Sequence, residues 1–574
     1  MAIHNAEIAE RFERLADLLE VEGANPFRVR AYRNAARVIG GLSPSLSDLV
    51  ADGADLSRYP GIGDDLADKI RTLVTTGDLP LLREVEGRVP AELSDLMHIK
   101  GLGPKRVKAL YDGLGIDSLE DLEAAARSGR IRELEGFGAK TEQALLEGIE
   151  RLKDSGERRT RLADAEAVAE PLKDYLARVS GVETVEVAGS YRRRKETVGD
   201  LDILVACADS GPVMDAFTGY DEVSEVASRG ETRSTVWLRS GLQVDLRVVP
   251  RASFGAALHY FTGSRAHNIA IRQRGVARGL KVNEYGVFRG EERLTGDSEE
   301  AVYAAVELPW MPPELREDRG EIAAAESGEL PELITEADIR GDLHCHTEAT
   351  DGADDLRTMA EAAKARGYEY LAITDHSRRV AMAHGLDADA LRRQGEAIDR
   401  LNDELSGITL LKGCEVDILE DGSLDLPDDV LAELEVPVCS IHYQLELSRE
   451  KQTERVLRAM DNPHCRILGH PSGRLINERP AMDLDMERII DAAAERGVVL
   501  EVNGQPARLD LRDEHCRQAR ERGAQLVLST DAHNADNLAL MRFAVGQARR
   551  GWVAAEQVVN TRSLAGLRRA LERD

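Results

Sequence analysis

The stretch that most restricts this chain is GSYRRRKETVGDLDILV, from Gly189 to Val205. It opens on Gly189-Ser190, a backbone pair that a phosphate can approach closely. Four consecutive cations follow, Arg192, Arg193, Arg194 and Lys195. After a turn at Gly199 come Asp200-Leu201-Asp202 and the apolar run Ile203 to Val205. Strand alternation puts Asp200 and Asp202 on one face, Leu201 and Ile203 on the other. Two carboxylates about 7 Å apart along a strand have the spacing to share a pair of Mg²⁺ ions. The cations and free amides just upstream are placed to hold a triphosphate that those metals bridge. A solvated surface strand would alternate too, but it would not need the Gly-Ser pair and the arginines at this spacing. Asp245, in LQVDLRVVP, lies on a further alternating strand. A third carboxylate there can finish the metal cage and act as base on an attacking hydroxyl.

The next segment, HYFTGSRAHNIAIRQRG, supplies Tyr260 and Phe261 to pack against a nucleotide sugar. Asn268 and Arg272, four apart, share one helix face, either solvated or reading minor-groove acceptors common to all base pairs.

The 574 residues of the whole chain leave room for about four domains. No apolar run is long enough to span a membrane, and the acidic amphipathic N-terminus is not a signal peptide, so no membrane partner is expected. Six scattered cysteines without a CxxC fit a reducing cytoplasm. The net charge of −29 is unusual for a nucleic-acid protein, because phosphate contact favours Lys and Arg. Acid and base nearly balance between Glu183 and Gly290, and arginine outnumbers lysine several-fold. Adaptation to a salty cytoplasm is one account; an ordinary acidic protein with a local basic groove is the other.

Residues 1–84 are expected to be helical, with apolar spacing at Phe27, Val29, Tyr32, Ala36 and Ile39. The turn Pro60-Gly61-Ile62-Gly63 opens a helix whose free amides can bind a backbone phosphate without a basic side chain. The pattern returns at Gly101-Leu102-Gly103, with Lys105, and at Gly136-Phe137-Gly138, with Lys140. One such turn is as consistent with a plain helical hairpin. Three copies, each with an apolar residue between the glycines, indicate helix-hairpin-helix motifs gripping DNA without reading sequence.

Residues 312–338, acidic and proline-bearing, have the composition of a linker. From 339 onward, short apolar runs alternate with helical stretches, the pattern of a barrel-like α/β domain with its site at the strand C-termini. Most of those runs end on a metal-ligand residue: His344 and His346 with Asp351, His376, Glu415, His442, His470, and Asp531 with His533. Such a set suits a polynuclear Zn²⁺ or Mn²⁺ site. His384, His464 and His515 lack that setting and are expected to be non-ligands.

Over nearly its whole length the chain resembles the bacterial and archaeal family-X DNA polymerases with a C-terminal polymerase-and-histidinol-phosphatase (PHP) domain. The motif from Gly189 to Asp202, the YFTGS segment at Tyr260 to Ser264 and NEYG at Asn283 to Gly286 carry the resemblance. It implies a DNA polymerase beta-like, multidomain α+β and α/β order. A helical lyase-like domain spans 1–84, fingers with two further hairpin motifs 85–155, a nucleotidyltransferase palm with an antiparallel or mixed sheet 156–252, a small thumb 253–315, an acidic linker 316–338, and a distorted (β/α)7-type PHP barrel 339–574. Asp200 and Asp202 would bind two Mg²⁺ or Mn²⁺ ions, with Asp245 on the catalytic one. Gly189, Ser190, Arg193 and Gly199 would hold the β- and γ-phosphates of a dNTP. Tyr260, Phe261, Gly263 and Asn268 would contact the nucleotide, and Arg272 the template side. Lys69 falls where the family's Schiff-base lysine sits, but Asp65 replaces a helper lysine. In the barrel up to three Zn²⁺ or Mn²⁺ ions are implied: one on His344, His346, Glu415 and Asp531, one on Asp351, His376 and His533, one on Glu415, His442 and His470. The implied function is short-gap filling in DNA repair, by a cytoplasmic monomer on gapped or primer-template DNA. A 3′–5′ exonuclease, 3′-end processing and abasic-site endonuclease would accompany it, with 5′-deoxyribose-phosphate lyase in question. The alternative is a template-independent, RNA or small-molecule nucleotidyltransferase with a small-molecule phosphatase domain.

Overall fold

The computed structural model describes residues 5–40, 46–51, 53–59, 61–90, 93–96, 102–134, 136–138, 141–143, 145–146 and 159–572. The chain divides into two compact units, Met1–Arg158 and Arg159–Asp574.

The described part of the first unit is helical, around one apolar core. In Pro26–Gly40 the buried stripe is Val29, Tyr32, Ala36 and Ile39; Phe27 falls outside it and is 76% exposed. Phe27 is one residue out of phase with the i, i+3, i+7 pattern of the others, and Arg30 stacks on its ring instead. The glycine turns repeat in detail. Ile62, Leu102 and Phe137 are buried in the core, while the described flanking glycines are exposed. Gly63 precedes the helix Asp64–Thr76 and Gly103 the helix Pro104–Leu114, both without a side-chain cap. Gly101 and Lys140 lie outside the described residues.

The second unit opens on strands β1 (Thr160–Arg161), β2 (Val182–Val187), β3 (Thr197–Val198), β4 (Asp200–Cys207), β5 (Val223–Arg229), β6 (Arg233–Leu238) and β7 (Gln243–Val249). Five of these form the palm sheet in the order β2-β4-β7-β6-β5. Only β4 and β7 pair parallel, so the sheet is mixed, as expected. Leu201, Ile203 and Val205 of β4 pack with Val244, Leu246 and Val248 of β7 in the core beneath the sheet. The outer strand β5 is exposed along almost its whole length, and its pairing with β6 is irregular at two places. Beyond it lies the small thumb, with β8 (Lys281–Asn283), β9 (Gly286–Arg289) and β10 (Glu292–Thr295).

The C-terminal region is a seven-stranded parallel sheet in sequential order: β11 (Gly341–Asp342), β12 (Tyr370–Ile373), β13 (Thr409–Asp417), β14 (Val436–Ser440), β15 (Ile467–Leu468), β16 (Val499–Asn503) and β17 (Leu526–Ser529). A bridge between Cys345 and Ala532 brings its two ends together, so the barrel is nearly closed. One alternating set of strand residues, including Tyr370, Leu411, Val438, Ile467, Val499 and Val527, packs with the helix Leu564–Leu571.

The expectation of a linker at 316–338 does not hold. Leu315, Leu333 and Ile334 are buried, and Ile334 exchanges hydrogen bonds with Val553 and Arg549 on the barrel. Glu321, fully buried, accepts from the amides of Asp318 and Arg319 and lies 2.6 Å from His267 Nδ1. The charges that mark a linker in composition are here buried and paired. Arg316 is the largest fully buried side chain described, bonded to Glu299 and to the Met311 carbonyl. Burial alone would raise the Glu299 carboxyl; Arg192 and Arg316 hold it far below its usual range. Changing Arg316→Met leaves Glu299 facing Arg192 alone in a dry site, and should lower stability by about 3–5 kcal/mol. Urea unfolding of the full chain measures this, and adding Glu299→Gln should recover part of the loss.

Candidate nucleotidyl-transfer and metal-cluster sites

The acidic triad depends on strand register. Parallel pairing of β4 with β7 sets Asp202 opposite Asp245 and Asp200 opposite Gln243. Residues in register on adjacent strands point the same way, so the carboxylates share one face. Thr235 and Gln243 each donate to Asp245, the latter at 2.8 Å. Asp202 is buried beside Asp200 and Asp245; burial first, then those two charges, push its carboxyl up to about 7. A Cβ at Gly189, where φ is +64°, would stand 2.6 Å from the Asp202 carboxylate. Glycine at that position is therefore what lets the helical turn Gly189–Arg192 lie against the acid.

Beside the triad is a cavity of about 630 Å³. It is lined by Gly189, Ser190, Arg193, Gly199, Asp200, Asp202, Tyr260, Phe261, Gly263, Asn268 and Arg272, which the sequence had singled out. Asp245 does not line it, standing on the far side of Asp202 in the sheet. Asn268 is buried, not on a solvated face; its amide nitrogen donates to the Tyr260 carbonyl at 2.6 Å and its Oδ1 lacks a partner. Phe261 packs edge-on to Tyr260 and lies under Arg247.

The run of four cations does not act together. Arg192 is bidentate to Glu299 at 2.8 Å for each bond, and Arg194 pairs with Glu166 at 2.9 Å. Only Arg193 and Lys195 line the cavity, joined there by Arg159 and Arg265. Arg192 and Arg194 were expected to serve a triphosphate; their carboxylate partners, far away in sequence, claim them instead. Arg159 carries no local signal, being brought in by the β1–β3 pairing.

In the barrel every expected ligand follows a strand except Glu415, which lies two residues before the end of β13. Glu415 on β13 is the centre. Its Oε1 lies 2.8 Å from His470 Nε2 and 3.2 Å from His442 Nε2; its Oε2 lies 2.9 Å from His376 Nδ1 and 3.4 Å from His344 Nε2. Asp531 reaches His346 Nε2 at 3.2 Å, and Asp351 reaches His376 Nε2 at 3.2 Å and His533 Nε2 at 3.5 Å. Three groups have atoms close enough to hold one ion each: His346, Asp351, His376 and His533; His344, His346 and Asp531; His376, Glu415 and His442. These groups differ from the expected division, since His346 and His376 each belong to two of them and His470 to none. The donor set fits metal ions. His344 Nε2, both ring nitrogens of His346 and His376 Nδ1 are buried without a well-formed hydrogen bond, facing carboxylates. Burial alone would strip charge from His376 and His442, but Glu415 and its neighbours hold them protonated up to about 10 and about 9. His515 belongs to none of these groups; burial, then Arg512 and Arg474, hold it neutral down to about 4.

Sequence reasoning missed the residues behind these ligands. Glu501, in the middle of β16, lies 2.6 Å from His344 Nδ1 and accepts the His470 amide. Asp417, two after Glu415 on β13, lies 3.0 Å from His442 Nδ1. Such carboxylates fix the ring orientation of a metal-binding histidine. The Glu-x-Asp alternation in GCEVDIL and the acid in VVLEVN were the available signals. Lys69 forms an ion pair with Asp65 one helical turn away.

A mixed-sheet palm with three clustered aspartates beside the helical turn Gly189–Arg192, joined to a parallel barrel carrying a histidine-carboxylate cluster, defines a metal-dependent nucleotidyltransferase fused to a metal-dependent phosphoesterase. Family models agree: DNA polymerase beta palm over 161–223 and thumb over 257–317, PHP domain over 342–505, a helix-hairpin-helix domain over 3–79 and a SAM-like helix-hairpin-helix tandem over 93–151. The chain is 37% identical to "DNA polymerase/3′-5′ exonuclease PolX" of Bacillus subtilis, across 100% of both chains. Its C-terminal part is 27% identical to a probable phosphatase of Thermoanaerobacter sp., covering 38% of this chain and 89% of that one, and 30% identical to a probable phosphatase of Acetivibrio thermocellus, covering 38% and 86%. The chain belongs to the family-X DNA polymerases that carry a PHP domain. None of its described helices is long and apolar enough to cross a membrane.

The Asp202 shift has a measurable consequence. Between its ordinary value of 3.8 and about 7, the folded chain keeps a proton that the unfolded chain releases. Stability from this group is therefore lost as pH rises through that window. A divalent cation replaces the proton, so the rise in melting temperature on adding Mg²⁺ should be larger at pH 8 than at pH 5, and Asp202→Asn should flatten the difference.

Proposed function

We propose that the chain fills short gaps in DNA during repair and trims primer 3′ ends. The in-register acidic triad beside the cavity is the observation that carries the polymerase part. In this reading Asp200 and Asp202 hold two Mg²⁺ or Mn²⁺ ions, with Asp245 on the one nearer the primer hydroxyl. Bound there, the ions would neutralise charge during in-line attack on the α-phosphorus. Ser190, Arg193, Gly199 and Lys195 hold the β- and γ-phosphates of the incoming dNTP. Tyr260, Phe261 and Asn268 position its sugar and base, and Arg272 meets the template side. The residues of the chain thus contribute positioning and charge complementarity, not covalent chemistry.

In the barrel, Zn²⁺ or Mn²⁺ held by the Glu415-centred cluster would supply a hydroxide for phosphodiester hydrolysis. This supports a 3′–5′ exonuclease, 3′-end cleaning and abasic-site cleavage. The match to probable phosphatases favours a second reading of this half, hydrolysis of small phosphomonoesters; rates on histidinol phosphate and on a 3′-recessed duplex separate the two. The glycine turns support DNA binding through backbone amides. A Cβ at Gly63, Gly103 or Gly138 would meet nothing within 4 Å and none of the three has a positive φ, so neither packing nor backbone demands glycine there. An uncovered amide for a phosphate is what glycine adds. The six buried free cysteines fit a reducing cytoplasm. A monomer suffices, since both sites are complete in one chain.

Extension and degradation of a primer at a one-nucleotide gap test the assignment. Asp200→Ala should lower extension by at least about 10³-fold, the scale of several kcal/mol of lost charge stabilisation, while degradation persists. His344→Ala should do the reverse. Loss of both activities in either variant overturns the division of labour.

Asp65, one helical turn away, engages the Lys69 amine that a Schiff base would need as its nucleophile. Borohydride trapping on an incised abasic duplex should therefore yield little adduct with the natural chain and more with Asp65→Ala; an abundant Lys69-dependent adduct in the natural chain would overturn this.

A further inference from the structure

The cavity turn is not supported by the palm alone. Its residues from Arg193 to Glu196 are held from the C-terminal half. Arg550, at the end of the helix Met541–Arg550, donates through Nη1 to the Arg193 carbonyl at 2.8 Å and to Glu317 Oε1 at 3.0 Å. The same Glu317 oxygen accepts from Arg193 Nε at 3.0 Å. One guanidinium nitrogen of Arg550 therefore fixes both the backbone of Arg193 and the carboxylate that orients its side chain. Arg550 is in turn aimed by Asp513 at 2.8 Å, which also pairs with Arg319 at 3.1 Å. On either side, Arg194 packs over Phe543 and shares Glu166 with Arg542, and Glu196 is bidentate to Arg474 at 3.1 and 2.7 Å.

Burial alone would raise the Glu317 carboxyl, but Arg550, Arg193 and Lys195 bring it down to about 2, so the pairings are ionic at every pH at which the enzyme works. Arg550 and Glu317 line no part of the cavity. An arginine held in its bound conformation binds phosphate without the loss of side-chain freedom that a loose one suffers.

We propose that Glu317 and the barrel residue Arg550 are positioning residues for nucleotide binding in the palm: they set Arg193 for the triphosphate of the incoming nucleotide. This rests on the reading of the palm cavity as a nucleotide site. The PHP barrel then has a second task besides hydrolysis, performed through the helix that follows Asp531 and His533 in the chain.

The test is steady-state gap filling by the full chain over a range of dNTP concentrations, with primer degradation measured on the same preparations. Arg550→Lys keeps the charge but not the forked contact, and Glu317→Gln keeps the shape. Each should raise KM for the dNTP by about fivefold or more, with kcat and primer degradation within about twofold. The double variant should be no worse than the poorer single, because both break one linkage. A merely structural role would lower the active fraction, reducing kcat and both activities together while KM stays put; that result overturns the proposal. So does an unchanged KM in Glu317→Gln, which decides the matter if Arg550→Lys does not fold. Arg193→Ala separates the two levels. If it leaves KM unchanged, the nucleotide-site reading itself fails; if it raises KM while the other two variants do not, only the positioning role fails.

Discussion

Parallel pairing of β4 with β7 places like charges side by side, and the palm is built around tolerating that. Backbone hydrogen bonds lock the register, and the apolar faces of both strands bury on the opposite side, so Asp202 and Asp245 cannot move apart. Their repulsion is relieved by a proton or by a cation, and the missing Cβ of Gly189 leaves room for the carboxylate. The barrel solves the converse problem. Glu415 stands within reach of five histidines, and the cluster's surplus of ligand atoms is matched only when protons or metal ions lie between them.

What could be read in the sequence was whatever depends on short spacing. Asp200 and Asp202 share a face because alternation is local, and the barrel ligands stood out because each ends an apolar run. The fate of Arg192 and Arg194 could not be read, because Glu299 and Glu166 meet them only after folding. The stretch 316–338 misled because composition reports charge, not whether it is paired; its buried Ala325, Leu333 and Ile334 are too sparse to show a period. The sharing of His346 and His376 between metal groups is a matter of ångströms, set by how seven strands tilt, and no spacing rule encodes it. Glu501 and Asp417 were legible in principle, being acids on strands already recognised, but a residue behind a ligand looks no different in sequence from a buried structural acid.

The acidic character of the chain and its affinity for DNA are reconciled at the level of the backbone. In the N-terminal unit, uncapped helix starts at Gly63 and Gly103 present amide hydrogens, whose partial positive charge is independent of side-chain composition. In the second unit most arginines are committed to carboxylates, and among those that line the palm cavity Arg193 is held in place by one, Glu317. Positive potential is thus concentrated where phosphate is expected instead of being spread over the surface.

The outer strand β5 bears on how such a chain is made. It pairs on one side only, its two irregularities against β6 break a flat template, and Glu225 and Arg229 put charges along it. The palm leaves the ribosome well before the barrel is complete, an interval on the order of tens of seconds at bacterial elongation rates. During that time an open sheet border is the surface most prone to join a neighbouring nascent chain. A bent, charged border lets the palm wait, and so a multidomain polypeptide can be assembled in order without its first sheet becoming the seed of a fibre.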